Sequence, residues 1–413
     1  MASLNDSNTE NIGITLNCDS LSIKFYQDFP QNQEAWDELV ESTNSGIYLT
    51  YDWCQSWWAH YGLDRSLRIF LIYDVKTNQL VGVMPMFIDN IRVGLQKFCF
   101  AKTIGADFTI GTCEAPILKD WIDQSFEAII SELMNNDGCD AVLLGPMISN
   151  KNNMLAYQGA NYMNGLVKLI VCHSKRPHTI FECPKTFEDY TKNLGKSTRK
   201  SYRNWWNRLC KNYDIAEDVI SSPFSDEGGF MDFIEMHTAQ WKQDGKLGHF
   251  GDWPFAEKFH VDLVNKQANR GRFFLFRILS SNKVISYQYM YICGKTLHWM
   301  LPARVFDSEL ERLSLGRLSL VRMLNWAISE GITHVDAGAG HYPYKLQLGA
   351  KEFERQSLLI VRNRVGALWR CWIFRFQGTL LNIFYYKIWY LRVAPKLHIQ
   401  QPLWKSWIQR QLF

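Results

Sequence analysis

With 413 residues, 47% of them hydrophobic, the chain exceeds what one ordinary core needs and suits two domains of typical size. Its ten cysteines stand one at a time, which argues against a disulfide framework or a zinc site and fits reduced thiols in a cytoplasmic protein without a metal. The net charge of +4 hides an asymmetry: ten of the 45 Lys and Arg but none of the 41 Asp and Glu fall within residues 355–413, so this tail carries +10 and the rest of the chain −6.

In chain order, the opening "MASLNDSNTENIGITLNCDS" is polar and lacks the basic flank and apolar run of a secretory signal. No uncharged apolar run approaches the roughly 20 residues a membrane span needs, so a cytoplasmic protein, soluble or peripheral at the membrane, is expected. "LRIFLIYD" and "LVGVMPMFID", joined by "VKTNQ", predict a strand hairpin. "SFEAIISELMNNDGCDAVLLGPM" then predicts a helix feeding a buried strand. The second half repeats this plan with "GRFFLFRILS", the turn "SNK" and "VISYQYMYICG", followed by "SLVRMLNWAISEGITHVDAGAG". There Leu320, Met323, Leu324 and Ala327 keep helical spacing and Gly331 predicts the stop. The agreement in order and spacing reads as an internal duplication.

Between the two copies, Lys196, Arg199, Lys200 and Arg203 fall at i, i+3, i+4 and i+7 and share one helix face. Such a face either binds phosphate, because guanidinium groups fork onto its oxygens, or is a solvated amphipathic surface. On the next helix His237 and Trp241 stand four apart, either as a proton acceptor with a wall against an acyl or sugar group, or as core packing. In the tail, Val365, Leu368, Trp369, Trp372, Ile373 and Phe376 repeat at helical spacing with Arg364, Arg370 and Arg375 outside the stripe. That profile suits a helix lying in an anionic membrane interface, and the charge favours it over a helix docked on the body.

The paired layout, "FEDYTKNLGKSTRKSYRNWWNRL", "MHTAQW" and "DAGAGHYPYKLQLGAKE" together resemble the CelD/BcsL type of the GNAT superfamily of N-acyltransferases, related to the FemABX peptidyltransferases. The resemblance implies an α/β fold with tandem GNAT-like domains and mixed sheets: a degenerate scaffold or acceptor-binding domain at 1–180, an acyltransferase domain at 181–358 and a basic helical tail at 359–413. It implies acyl-CoA or acetyl-CoA as co-substrate, its pyrophosphate held by backbone amides at a helix start. The matching region "ERLSLGRLSL" keeps Gly316, with Ser314, Arg312 and Arg317 beside it, but puts Leu313 where Arg or Gln is expected and Leu318 where Gly or Ala is expected. The resemblance also places the acyl arm between "THVDAGAG" and "TLHWMLPAR", which splay apart. Lys345 then resembles the lysine that stabilises the developing oxyanion. Tyr344 or Tyr342 is the expected proton donor to the leaving group, and Asp336 or His341 the acceptor from the attacking amine.

The expected activity is transfer of an acyl group from a thioester to an amine of an envelope or exopolysaccharide precursor, without a DNA partner. Two rivals stay open: aminoacyl transfer from tRNA, and an inactive GNAT-like binding protein of a polysaccharide-synthesis complex.

Overall fold

The computed structural model describes residues 14–17, 20–107, 111–149, 165–224, 228–243, 245–252, 254–397 and 403–412. The first half supplies strands β1 (Ile14–Asn17), β2 (Leu21–Tyr26), β3 (Ser66–Asp74), β4 (Leu80–Val93), β5 (Gln96–Thr103), β6 (Ala141–Ile148) and β7 (Val167–His173). The second supplies β8 (His178–Glu182), β9 (Ile215–Ile220), β10 (Phe273–Ser280), β11 (Lys283–Cys293), β12 (Thr296–Arg304), β13 (His334–Ala339), β14 (Lys351–Phe353) and β15 (Arg355–Arg362). Both hairpins expected from apolar alternation are present, β3 with β4 and β10 with β11.

The helices of the first half are α1 (Gln33–Ser42), α2 (Tyr51–Tyr61) and α3 (Ile122–Asn135). Those of the second are α4 (Phe187–Asn193), α5 (Lys196–Asn212), α6 (Phe230–Gln243), α7 (His249–Asp252), α8 (Ala256–Asn269), α9 (Ser308–Arg312), α10 (Leu315–Ser329) and α11 (Pro343–Gln347). As expected, α10 ends at Gly331: φ is +75° there, and the amides of Gly331 and Ile332 reach back to the carbonyls of Ile328 and Ala327.

The strands form two mixed sheets, ordered β1-β2-β3-β4-β5-β6-β15-β7 and β14-β8-β13-β12-β11-β10-β9. The second sheet is built wholly from strands of the second half, whereas the first sheet takes in β15. β8 lies between β13 and β14, while β15 lies between β6 and β7. Residues 180 and 358, where domain boundaries were expected, lie within β8 and β15, and of these two only β15 joins the other half's sheet. Hydrophobic pattern marks a strand but does not say which sheet edge it completes.

The two halves also share a core. Trp36, Trp53 and Trp57 of α1 and α2 are fully buried and belong to one cluster with Phe230, Phe233, Phe259, Tyr289 and Tyr291. Arg272 ties α1 to β10 through Asp37 (2.7 Å) and Glu41 (2.8 Å). The opposite face of the second sheet is covered by α10, through Leu320, Met323, Leu324 and Ala327, together with Tyr202 and Leu209 of α5.

The tail folds as α12 (Val365–Leu380), continues as a π-helix over Leu381–Val393, and ends in α13 (Ala394–Leu397) and α14 (Trp404–Ile408). It is docked, which corrects the expectation that charge alone would keep it off the body. Cys371 and Phe374 pack on Phe98 and Phe100, and Tyr385, Trp404 and Trp407 enter the shared core. The expected single stripe is divided: Leu368 and Ile373 turn to the body, while Val365, Trp369, Trp372 and Phe376 stay exposed.

Candidate active site

β12 and β13 run parallel over three residue pairs, Thr296 with His334, Leu297 with Val335 and His298 with Asp336, and then part. The cause is local. After Asp336 the chain also breaks register with β8, Gly338 adopts φ +74°, and its amide donates to Asp336 Oδ1 at 2.8 Å. A ladder that ends this way releases the Ala337 carbonyl, and an unpaired buried carbonyl is costly. Lys345, from α11, satisfies it: Nζ donates to Ala337 O at 2.6 Å.

Lys345 is 5% exposed. Its ammonium stands 4.9 Å from the Trp299 ring and 4.6 Å from the Tyr342 ring, so cation–π attraction replaces part of the lost hydration. Burial pulls its pKa down to about 8, against the opposing charge of Asp336. The ammonium therefore still predominates near neutral pH.

On the other side of the strand end, Asp336 is buried between two imidazoles. His178 Nε2 is 2.7 Å from Oδ1 and His298 Nδ1 is 3.3 Å from Oδ2. Both are close contacts with poor hydrogen-bond angles. Burial alone would raise the Asp336 carboxyl, but the two histidines outweigh it and hold it well below the usual carboxylate range. This corrects the expectation of Asp336 as proton acceptor: an enclosed carboxylate, already engaged by His178, His298 and Gly338, is a weak base. His178 and His298 were missed by sequence reasoning. His178 arrives on the neighbouring strand β8, far from Asp336 in the chain, so no spacing could announce it. His298 Nε2 in turn accepts from the Ile47 amide at 3.3 Å, which links the strand end to the first half.

The remaining expected residues divide. Tyr342 is 45% exposed and leans on Gly340, where φ is +132° and a Cβ would lie 2.5 Å from the ring. Its ring centre is 6.0 Å from that of Tyr344. Burial pushes the Tyr344 phenol up to about 12, Arg317 at the start of α10 opposing, so it holds its proton. Lys345, Tyr342, Tyr344 and Arg317 are thus brought together. His341 is not part of that group; it is exposed and pairs with Glu352 at 2.8 Å.

His237 is also redirected. It is buried beneath α6 with Nδ1 2.9 Å from Pro302 O, and burial lowers its pKa. One turn on, Gln240 Oε1 accepts from the Arg304 amide at 3.1 Å. Helix α6 thereby supplies partners to β12 beyond the point where β13 leaves, and His237 acts in holding that strand. Trp241 is half-buried, packing on the His237 ring (6.0 Å) with Lys246 over its own ring (5.1 Å).

The loop after β12 differs from a cationic phosphate cradle. Leu313 and Leu318 are buried in the core. Ser314 adopts φ +52°, and a Cβ at Gly316 would lie 3.2 Å from Arg304 Nε. Arg304 pairs with Glu311, Arg312 pairs with Glu309 at 2.7 Å, and Asp307 caps α9. Arg304 and Arg312 are thus each paired with a carboxylate, and Arg317 lies by Tyr344 instead. On α5, Lys196, Lys200 and Arg203 are exposed, while Arg199 is half-buried and donates to Lys192 O at 3.4 Å. The start of α5 adjoins the exit of α11, where Tyr190 donates to Leu348 O at 2.8 Å and Leu194 touches Gly349.

Two clefts of about 580 Å³ each flank the parted strands. One lies beside α6 and the end of β12, lined by Gln240, Arg277, Lys283, Tyr287, Arg304 and Phe306. The other opens between α1 and the start of β13, lined by Glu41, Asn44, Thr112, Glu182, His298 and Asp336. Among the described residues no group of His, Cys, Asp and Glu could hold a metal.

No curated protein matches the sequence. The chain is similar in structure to FemX, at 13% identity and a TM-score of 0.58, covering 83% of this chain and 98% of that one. It is also similar to a conserved protein of unknown function from Bacteroides thetaiotaomicron VPI-5482, at 14% identity and a TM-score of 0.51, covering 82% and 100%. Both likenesses concern the fold. Residues 196–346 match the acetyltransferase (GNAT) domain family, a span that starts at α5 and includes the parted strands and Lys345. The acyltransferase character of the chain rests on residues 196–346, which match the GNAT acetyltransferase domain.

Proposed function

We propose that the chain transfers an acyl group from a thioester, acyl-CoA or acetyl-CoA, to a primary amine in the notch between β12 and β13. The observation that carries this reading is a buried ammonium fixed where two parallel strands part, with Lys345 Nζ 2.6 Å from Ala337 O. In the reaction the amine nitrogen attacks the acyl carbon and the carbonyl oxygen becomes an oxyanion. The ammonium of Lys345 stabilises that charge in a site from which water is largely excluded. Collapse forms the amide, breaks the C–S bond and releases a thiolate that is protonated through the Tyr344 hydroxyl; the amine nitrogen gives its proton to solvent, from which Tyr344 is reprotonated. Positioning does much of the work, since direct attack needs no enzyme nucleophile.

The carboxylates Glu41, Glu182 and Asp336 around the second cleft support an amine-bearing acceptor. An envelope or exopolysaccharide precursor, as in the CelD/BcsL resemblance, fits that requirement. The charge-balanced loop after β12 favours a donor held by its acyl arm more than by its phosphates.

The test is steady-state thiol release with acetyl-CoA and longer acyl-CoA donors, with amino sugars as acceptors. Lys345→Met should lower kcat on the order of 100-fold or more while donor affinity stays nearly unchanged, because the ground-state thioester is neutral. Full activity in a folded variant would remove Lys345 from the mechanism.

A second reading rests on α5, which carries six Lys and Arg and no carboxylate between residues 196 and 212. Such a helix also suits a donor carried on tRNA. Acyl transfer from aminoacyl-tRNA, with no thiol release from any acyl-CoA, would favour it.

A further inference from the structure

The docked tail leaves one face uncovered. Trp369, Trp372, Phe376, Phe384, Ile388 and Leu391 are all exposed, all but Ile388 by more than half of their surface. They form a stripe roughly 30 Å long at the helical rise. At its start the Trp369, Trp372 and Phe376 rings stack in series, with centroids 5.1 and 5.6 Å apart and planes within 14° and 3°. The stripe is not a displaced piece of core, because the opposite face of the same helix is fully engaged. Phe374 lies 4.9 Å from Phe98 and 5.1 Å from Phe100, Arg370 Nε reaches Asp140 at 2.9 Å, and a Cβ at Gly378 would come within 2.9 Å of Arg410 O.

Charge identifies what covers the exposed face. Arg375, Lys387 and Arg392 lie exposed among these apolar residues, and no ion pair among the described residues engages them. No Asp or Glu occurs anywhere in residues 355–413. The core of a protein–protein interface is depleted in Lys, although Arg and aromatic residues are enriched there. At a bilayer surface the same mixture is favourable, since indole rings sit at headgroup level while Lys and Arg stems lie along the apolar surface and their heads reach lipid phosphates. No helix among the described residues is long and apolar enough to cross a membrane, so this face would lie in the interface.

We infer that the outer face of α12 and the π-helix is a docking surface for an anionic membrane, with the helix in the plane of the headgroups. The inner-face contacts make it a rigid part of the enzyme, so docking fixes the orientation of the whole molecule on the bilayer.

The test is co-sedimentation of the full chain with phosphatidylcholine vesicles, with and without phosphatidylglycerol, at low and high salt. Binding should require the anionic lipid and weaken with salt. Replacing Arg375, Lys387 and Arg392 by Gln should lower partitioning on the order of 100-fold. The combined change Trp369→Ser, Trp372→Ser and Phe376→Ser should abolish it, and because these side chains face solvent the melting curve should not fall. No binding of the parent chain to either vesicle, or binding that neither triple variant alters, would overturn the inference. A dimer in solution that the aromatic variant dissociates, without vesicle binding by the parent chain, would assign the face to a second copy and likewise overturn it.

Discussion

Replacing Lys345 by methionine should leave a mark on stability that a surface lysine could not produce. The ammonium has a pKa of about 8 in the fold against an ordinary value of 10.5, a difference worth roughly 3 kcal/mol. The sign follows from proton counting. Below pH 8 the folded and unfolded chains both hold the proton, and the folded state carries the full cost of the desolvated charge. Between about 8 and 10.5 the unfolded chain keeps a proton that the folded chain has lost, so stability rises with pH and levels off above 10.5. Methionine has no such dependence, but it leaves the Ala337 carbonyl without its donor, a loss of about 1–3 kcal/mol. Near pH 7 the variant should therefore range from equal in stability to ~2 kcal/mol more stable, and above about pH 10 it should be less stable by about 1–3 kcal/mol. Denaturant unfolding of both proteins across this range measures the difference directly. A difference that stays constant with pH would show that Lys345 is not held as a desolvated ammonium, and the argument for an oxyanion-stabilising charge would lose its physical basis. The rate carries a matching signature: kcat of the parent enzyme should fall as pH rises through about 8, where the ammonium is lost.

Glu311→Gln should free the Arg304 guanidinium beside Gly316 and tighten CoA binding several-fold in calorimetry; weaker or unchanged binding would place the donor phosphates elsewhere. Arg199→Ala with Arg203→Ala should raise KM for a phosphorylated acceptor and flatten its salt dependence, with kcat unchanged, and no effect would make the α5 face a merely solvated one. Phe374→Ala should cost about 3–5 kcal/mol, because the ring fills the contact with Phe98 and Phe100, and limited proteolysis should then cut within the tail; an intact, protected tail would show that its docking rests on other contacts.

Both hairpins, the α10–β13 unit with its stop at Gly331, and the cation-bearing face of α5 were legible in the sequence. These features depend on local rules: strand alternation, helical periodicity and the left-handed glycine that ends a helix. The place of Lys345 at the exit of β13 was legible through a motif, but its burial was not. That depends on a carbonyl freed by the departure of β13 and on Trp299 from a different strand. Three further features came only from tertiary structure. The crossing of β15 into the first sheet follows from strand complementarity, which alternation does not encode. His178 and His298 meet Asp336 only because β8 and β12 flank β13 in the same sheet, and their contact turns an expected base into a clamped anion. The tail's apolar stripe has even helical spacing, so periodicity read it as one face. Docking against Phe98 and Phe100 divided it, since an α-helix can bury only one side against a sheet and must leave the other to whatever lies outside.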